Sequence, residues 1–375
     1  MRTADTRGAR DWALLLGLGA AGLALVAVVF AQPMLSTTTN WALDWDAYQV
    51  SSLRLGQEGT LYATASLRSS FEPVDGCYYL YTPPFGIAFG LLAWLPADVG
   101  ATVWYYLHLA VLALSCALMP IRIPLRFWTF AIAVVSVPVI SDFILGNVSS
   151  VMLLPVVIGW RWLDRPAGSL ALAIATSVKA TFGLYLIWFA VRRAWRPLAW
   201  IVAGGVALIV LSLPFVGIDG YRDYFTMLGN INAPADLLPN RHVNAMVLSW
   251  GFDESAAWAA QMAVYLAAVG AMLLSLRRDR EVGYMVILAA TIVLAPLLWG
   301  HYLSLLVVPA AFLAQRGRPW ALLLPLLAWM PEMYLSLLAL AALWLPFLAR
   351  DREEDSHDSA DEPEATAMPA PSAGA

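Results

Sequence analysis

Apolar residues in this chain gather into long runs separated by short polar or basic stretches. The runs fall at 12–31, 99–119, 125–141, 147–163, 169–178, 181–191, 198–215, 256–276, 281–297, 302–315, 319–331 and 334–349. A run of roughly 20 apolar residues is long enough to cross a bilayer as a helix, and several of these fall short of that length. The first, Trp12–Ala31, follows a basic start (Arg2, Arg7, Arg10). It is longer than the apolar core of a secretory signal and predicts a retained transmembrane helix. The segment Pro83–Pro96 is short and bounded by prolines. It predicts an interfacial helix that does not span.

Between the runs lie basic clusters at Arg2–Arg10, Arg122–Arg126, Arg161–Arg165, Arg192–Arg196, Arg277–Arg280 and Arg316–Arg318. Placed together on the cytoplasmic side, they close into one topology. Both termini are then cytoplasmic, with outer loops at about 32–98 and 216–255. The expected organisation is a cytoplasmic N-terminus (1–11), a polytopic helical domain (12–349) with about 12 membrane helices, and a disordered acidic cytoplasmic tail (350–375). The fold class is all-α, integral to the membrane, with interfacial helices in the first outer loop.

The same rule bears on Lys179. One long helix through it would put a basic cluster on the wrong side and a lysine at mid-membrane, which costs at least ~2.5–3.5 kcal/mol. Two short helices, 169–178 and 181–191, predict a hairpin with Lys179 at its outer apex.

Composition agrees with this class. Hydrophobic residues make up 61% of the chain and charged residues 13%, too few to cover a water-soluble surface. The net charge of −4 conceals an asymmetry, because the acids concentrate between Asp351 and Glu364. Two cysteines, Cys77 and Cys116, offer no disulfide or metal framework. No metal-ligand spacing, phosphate-binding glycine loop, nucleophile elbow or nucleic-acid patch occurs, and neither a metal nor a cofactor is expected.

In that topology, chemically useful residues converge on the outer face. Asp44, Asp46 and Tyr48 follow the first helix, and Asp142 and Gly146–Asn147 fall at an outer end. Asn240, Arg241, His242 and Asn244 sit in the second outer loop, and Trp299 and His301 at the end of a hairpin. Each has a plainer reading. Asp44 and Asp46 also suit a solvated helix end, Lys179 a snorkelling amine, and His301 an interfacial aromatic belt. His108, in an apolar helix, reads as a packed histidine. Asn147-Val148-Ser149 matches a glycosylation sequon, a pattern common by chance.

The stretch Asp44-Trp45-Asp46-Ala47-Tyr48, followed by Arg54-Leu55-Gly56, Leu61-Tyr62 and Tyr81-Thr82-Pro83-Pro84-Phe85, resembles the first outer loop of glycosyltransferase family 87. Further matches follow in order. Gly146-Asn147 stands where a Gly-Gln is usual, and Val178-Lys179-Ala180-Thr181 where a lysine precedes a proline. Asn244 falls near an Asn-Gln-Ser motif, and Ala295 to Tyr302 resembles Ser-Pro-x-x-Trp-x-His-His. Asn147 in place of Gln, Ala245-Met246 after Asn244, and Tyr302 in place of His are departures.

The resemblance implies a GT-C-type bundle and a mannosyltransferase that uses polyprenyl-phosphate-mannose, acting in the cell envelope on a glycolipid or glycan acceptor. Its scheme is a single displacement with inversion, without a nucleotide donor. By the four-residue spacing to Tyr48, Asp44 is the implied base, with Asp46 as fallback. Lys179 and His301 are the phosphate-side groups, and Tyr48, Tyr81, Asn147, Arg241, His242, Asn244 and Trp299 line the substrates. In an extended segment Asp46 would share Asp44's side; in a helix the two diverge and Asp44 aligns with Tyr48. A lipid-linked sugar flippase is the other class with this outline, although no internal repeat supports it.

Overall fold

The computed structural model describes residues 3–68, 79–230, 241–295 and 297–349, with side chains from Asp11 onward. Cys77, Asn240 and the acidic tail lie outside the described residues. Among those described there are helices and no strands. The chain runs α1 (Thr3–Leu35), α2 (Leu43–Glu58), α3 (Thr64–Arg68), α4 (Pro83–Phe89), α5 (Ala97–Leu118), α6 (Ile123–Val134), α7 (Val137–Leu145) and α8 (Leu153–Arg161). It continues through α9 (Pro166–Val178), α10 (Leu184–Val191), α11 (Trp195–Asn230), α12 (Val243–Ser249), α13 (Glu254–Ser275), α14 (Arg280–Val293), α15 (Val307–Gln315) and α16 (Leu335–Trp344). Short 3₁₀ turns, among them Ala180–Gly183 and Gly300–Leu306, join several of them.

The expectation of about 12 membrane helices is not met among the described residues. Four helices are long and apolar enough to cross a membrane: Asp11–Leu35 of α1, α5, α11 and α13. The pair α6 and α7, bent by 62° at its break, makes a fifth if counted as one span. The other apolar runs are cut into shorter pieces. Proline is one cause: Pro138 starts α7 and Pro325 falls within the 3₁₀ segment Pro319–Trp329. Within α11, Gly217 takes φ 61°, ψ −171°, a conformation that only glycine adopts readily, so two helical stretches meet there. The second stretch runs on to Asn230, through part of what the sequence predicts as an outer loop.

At the centre lies α14, where every residue from Val282 to Val293 is buried. At the periphery α1 and α11 leave large apolar side chains such as Leu23, Phe30, Leu211 and Phe215 uncovered. An apolar surface of that kind belongs against lipid.

The arginine clusters between helices meet at one end of the bundle. Arg161 donates to the carbonyl of Leu118, Arg122 N–H to Gln315, and Arg192 to the carbonyl of Arg278. Arg280 pairs with Asp164, and Arg316 lies against both Asp279 (3.2 Å) and Glu281 (2.7 Å).

Candidate active site

The site is built first on the start of α2. Ala42 caps the helix in the left-handed region (φ 61°, ψ 19°), unusual for a residue with a Cβ. Its N–H donates to the carbonyl of Ile144 at 2.7 Å, which holds this turn against the end of α7. From that cap, Asp44 and Asp46 enter the first helical turn, where the dipole favours acids. The helical alternative is therefore the observed one. Asp44 and Tyr48 turn inward and are buried, while Asp46 stays half-buried on another side.

Two glycines let α2 come this close. A Cβ on Gly100, in the first turns of α5, would stand 2.1 Å from Trp45 Cζ2. Gly146 ends α7 at φ 68°, and its carbonyl accepts from Trp104 Nε1 at 2.7 Å. The left-handed turn at Gly146 aims the next residue, Asn147, at α2.

Asn147 is fully buried and fully engaged. Its Nδ2 donates to Asp44 Oδ2 at 2.7 Å and to the Tyr81 hydroxyl at 3.1 Å. Its Oδ1 accepts from Ser149 N–H (3.0 Å) and Ser149 Oγ (2.7 Å). An amide used in this way is no surface glycosylation acceptor. The Tyr48 hydroxyl donates to Tyr81 at 3.0 Å and accepts from Val148 N–H at 3.2 Å. The Tyr48 ring is edge-on to Tyr81, Phe85 and Phe89, with centroids 5.1–5.2 Å away.

Lys179 arrives from the break between α9 and the turn Ala180–Gly183, where its backbone is extended (φ −124°, ψ 111°). The break matches the two short helices expected there. The amine does not snorkel outward. It donates to Ser149 Oγ at 2.6 Å and lies 3.7 Å over the Tyr302 ring and 5.8 Å from the Tyr81 ring. Thr82 Oγ1 donates to the carbonyl of Ser177, tying the start of α4 to the end of α9.

The segment Trp299–Tyr302 completes this wall. His301 is buried against Trp299 and Tyr302, with ring centroids 5.5 and 5.0 Å away. Its Nε2 finds no hydrogen-bond partner among the described residues. Behind Ser149, buried Asp142 accepts from Ser150 N–H at 2.5 Å.

Burial dominates the electrostatics here. It lifts the Asp44 carboxyl to about 6, against the lowering effects of the Asn147 hydrogen bond and the Lys179 charge. A carboxyl so placed holds its proton weakly near neutral pH and takes one readily, as a general base must. Burial also raises Asp46.

The structure thus brings together Asp44, Tyr48, Tyr81, Asn147, Lys179, Trp299 and His301. It does not bring in Asp46, which lines a separate cavity. Arg241, His242 and Asn244 form a neighbouring group of their own. Arg241 pairs with Glu332 and its N–H donates to the carbonyl of Leu298 at 2.7 Å. His242 Nδ1 meets Gln261 Nε2 at 3.1 Å, and Asn244 N–H donates to Gln261 Oε1 at 3.3 Å. Ser149 and Tyr302 escaped the sequence reading as site members, and Asp142 was noted without a role. Asp142 had one signal, a carboxylate between two apolar runs; Ser149 had none. Among the described residues no group of three or more His, Cys, Asp or Glu is placed to hold a metal.

The family model that matches this chain is glycosyltransferase family 87, over residues 79–300. The chain belongs to glycosyltransferase family 87. That makes it a membrane glycosyltransferase, with a sugar donor and an acceptor as substrates and the bilayer as its surroundings. The match includes Tyr81, Asn147, Lys179 and Trp299, whereas Asp44, Tyr48 and His301 lie beyond its ends. Their membership of the site rests on the geometry. No curated protein and no solved structure matches the chain.

Proposed function

We propose that this glycosyltransferase moves mannose from a polyprenyl-phosphate donor to an acceptor hydroxyl, with inversion, and that Asp44 is the general base. The observation that carries the reading is one hydrogen-bonded chain, from buried Asp44 through Asn147 and Ser149 to the amine of the sequence's sole lysine.

The chemistry follows from those groups. The acceptor oxygen attacks the anomeric carbon, and the bond from that carbon to the phosphate oxygen breaks with its electron pair on the phosphate. The hydroxyl proton passes to Asp44, and the leaving polyprenyl phosphate gains a negative charge. Lys179 is the cation next to the base, and His301 the buried imidazole beside it. Stabilising the departing phosphate is the task that suits both. Their surroundings are apolar and aromatic, which strengthens such an interaction.

The arginine-rich end of the bundle is cytoplasmic on this reading, by the positive-inside rule. The site then faces outward from the cell membrane and both termini face inward. The fold is of GT-C type. A lipid-linked donor fits that placement, because cytosolic nucleotide sugars are not supplied there. A flippase needs no base fixed beside a cation, and membership of a transferase family favours catalysis.

The test is transfer by purified protein in lipid nanodiscs. Labelled polyprenyl-phosphate-mannose with a membrane glycolipid extract should yield a labelled glycolipid, and GDP-mannose alone should not. Efficient transfer from GDP-mannose without any lipid-linked donor would overturn the donor assignment.

A further inference from the structure

Asp46 turns away from the catalytic cluster and into a cavity of about 580 Å³. Gln32 at the end of α1, Ser36 and Trp41 in the α1–α2 connection, and Asp98 and Thr102 at the start of α5 give its polar and aromatic lining, beside five alanines and valines. The volume lies within the range of about 300–1,000 Å³ typical of small-molecule sites. The lining is also chemically distinctive. It holds two carboxylates, an amide, hydroxyls and an indole, and no lysine or arginine. Neither Asp46 nor Asp98 forms an ion pair among the described residues.

These groups discriminate among ligands. Two carboxylates without a cation repel phosphate, so the donor's charged group does not belong here. They accept hydrogen bonds from hydroxyls strongly, because bonds to a charged acceptor are roughly twice as strong as neutral ones. Gln32 and Ser36 add amide and hydroxyl groups, and the half-buried Trp41 ring, 5.7 Å from Tyr105, offers an apolar face. A neutral polyol with an apolar ring face, that is a sugar, matches the set.

The position is as telling as the chemistry. Asp44 and Asp46 are two residues apart on one helix, so they point roughly 200° apart around its axis and differ by about 3 Å along it. The body of α2, about 10–12 Å across with its side chains, therefore lies between this cavity and the proposed base. A glycan with its attacking hydroxyl at Asp44 has to extend around α2 to place its other sugars in the cavity, so the subsite serves an oligosaccharide and not a single sugar.

We propose that the cavity between α1, α2 and α5 is a carbohydrate subsite that holds the non-reacting sugars of the acceptor. It rests on the glycosyltransferase reading given above for its role in turnover, but binding of sugar there does not.

Two measurements keep these apart. The first is direct binding of mannotriose and of methyl mannoside, followed by saturation-transfer NMR on the Asp44→Asn protein in nanodiscs. Mannotriose should bind, and Asp98→Asn or Asp46→Asn should weaken it on the order of tenfold, the loss of one charge-assisted hydrogen bond. Asp98 is exposed on the first turn of α5, so its isosteric replacement leaves packing alone. The second is kinetics on the native background. Asp98→Asn should raise KM for an oligosaccharide acceptor by a similar factor, with kcat and donor KM little changed. Equal mannotriose affinity in Asp98→Asn, Asp46→Asn and the parent overturns the subsite. So does binding of Mn²⁺ or Mg²⁺, without sugar binding, that either substitution abolishes. If wild-type protein transfers no sugar while mannotriose still binds through Asp46 and Asp98, the subsite stands and the catalytic reading falls.

Discussion

Asn147 donates to Asp44 across 2.7 Å, although 103 residues separate them in sequence. The bond fixes the carboxylate that the proposed chemistry needs as a base, and it uses one hydrogen of a side chain whose other polar groups are also occupied. Neither residue is free to rotate. Their fixed geometry comes from two backbone features, the left-handed cap at Ala42 and the left-handed glycine at Gly146.

Asp44→Asn keeps the size and much of the hydrogen bonding of the side chain but cannot take a proton. Its kcat should fall at least ~100-fold. Stability should move the other way. A carboxyl raised to about 6 by burial binds its proton more tightly folded than unfolded. The native state therefore loses stability as pH rises from the unfolded value through about 6. At neutral pH the asparagine escapes that cost, up to ~3 kcal/mol. Thermal unfolding at pH 7.5 should show the variant at least as stable as the parent. A variant both inactive and clearly less stable would point to a structural role.

The pH dependence of kcat should report the same carboxyl. Activity should rise with pH through about 6 as Asp44 ionises. Asn147→Ala removes a hydrogen bond that lowers this value, so the rising limb should move to higher pH. Loss at pH 6 should accordingly be partly recovered at pH 8. A uniform loss at every pH would mean that Asn147 does not act through the carboxylate.

Much of this was legible in the sequence, and the failures have physical causes. The helical class and most segment positions follow from apolar runs, which the chain cannot leave unfolded in lipid. The placement of Asp44, Asn147 and Lys179 on one face was legible from the basic clusters, and their grouping in one site only through motif order, because no local pattern joins residues so far apart. The number of spans was misjudged because an apolar run does not say whether it is one helix. The break between α6 and α7, and the 3₁₀ segments within the runs at 302–315, 319–331 and 334–349, decide that through backbone geometry. Asp46 was grouped with Asp44 because spacing alone does not reveal the direction set by the Ala42 cap. The spacing of Arg241, His242 and Asn244 does not reveal that Gln261, an amide within an apolar run, holds His242 and Asn244 in a group beside the main one.

Gly100→Ala should disable the protein through packing. The added methyl group would meet Trp45, fully buried and wedged against Phe89 and Trp104 at 4.8 and 5.9 Å. Overpacking typically costs 1–3 kcal/mol, so a clear drop in thermal stability is expected. Because Trp45 adjoins Asp44, activity should fall further than stability does. Gly205→Ala in α11 is the control. A Cβ there meets nothing within 4 Å, and helix propensity favours it by roughly 0.5–1 kcal/mol.

Lys179 allows the most direct test, because the sequence contains no other lysine. A snorkelling amine would sit among headgroups and react freely with an amine reagent. The observed amine is held by Ser149 Oγ at 2.6 Å and covered by the Tyr302 ring at 3.7 Å. Acetylation at Lys179, read by peptide mass spectrometry, should therefore be slow, and polyprenyl phosphate should slow it further by occupying the position in front of the amine. Lys179→Ala should raise donor KM and lower kcat, since the charge is needed both to bind phosphate and to stabilise its departure. Lys179→Arg should restore part of both, because charge is retained while the geometry differs. Ser149→Ala should be milder, on the order of 1 kcal/mol in kcat/KM, since it removes one neutral partner and leaves the cation in place. Fast acetylation that polyprenyl phosphate leaves unchanged, together with an active alanine variant, would return Lys179 to the membrane surface and leave the departing phosphate without its cation.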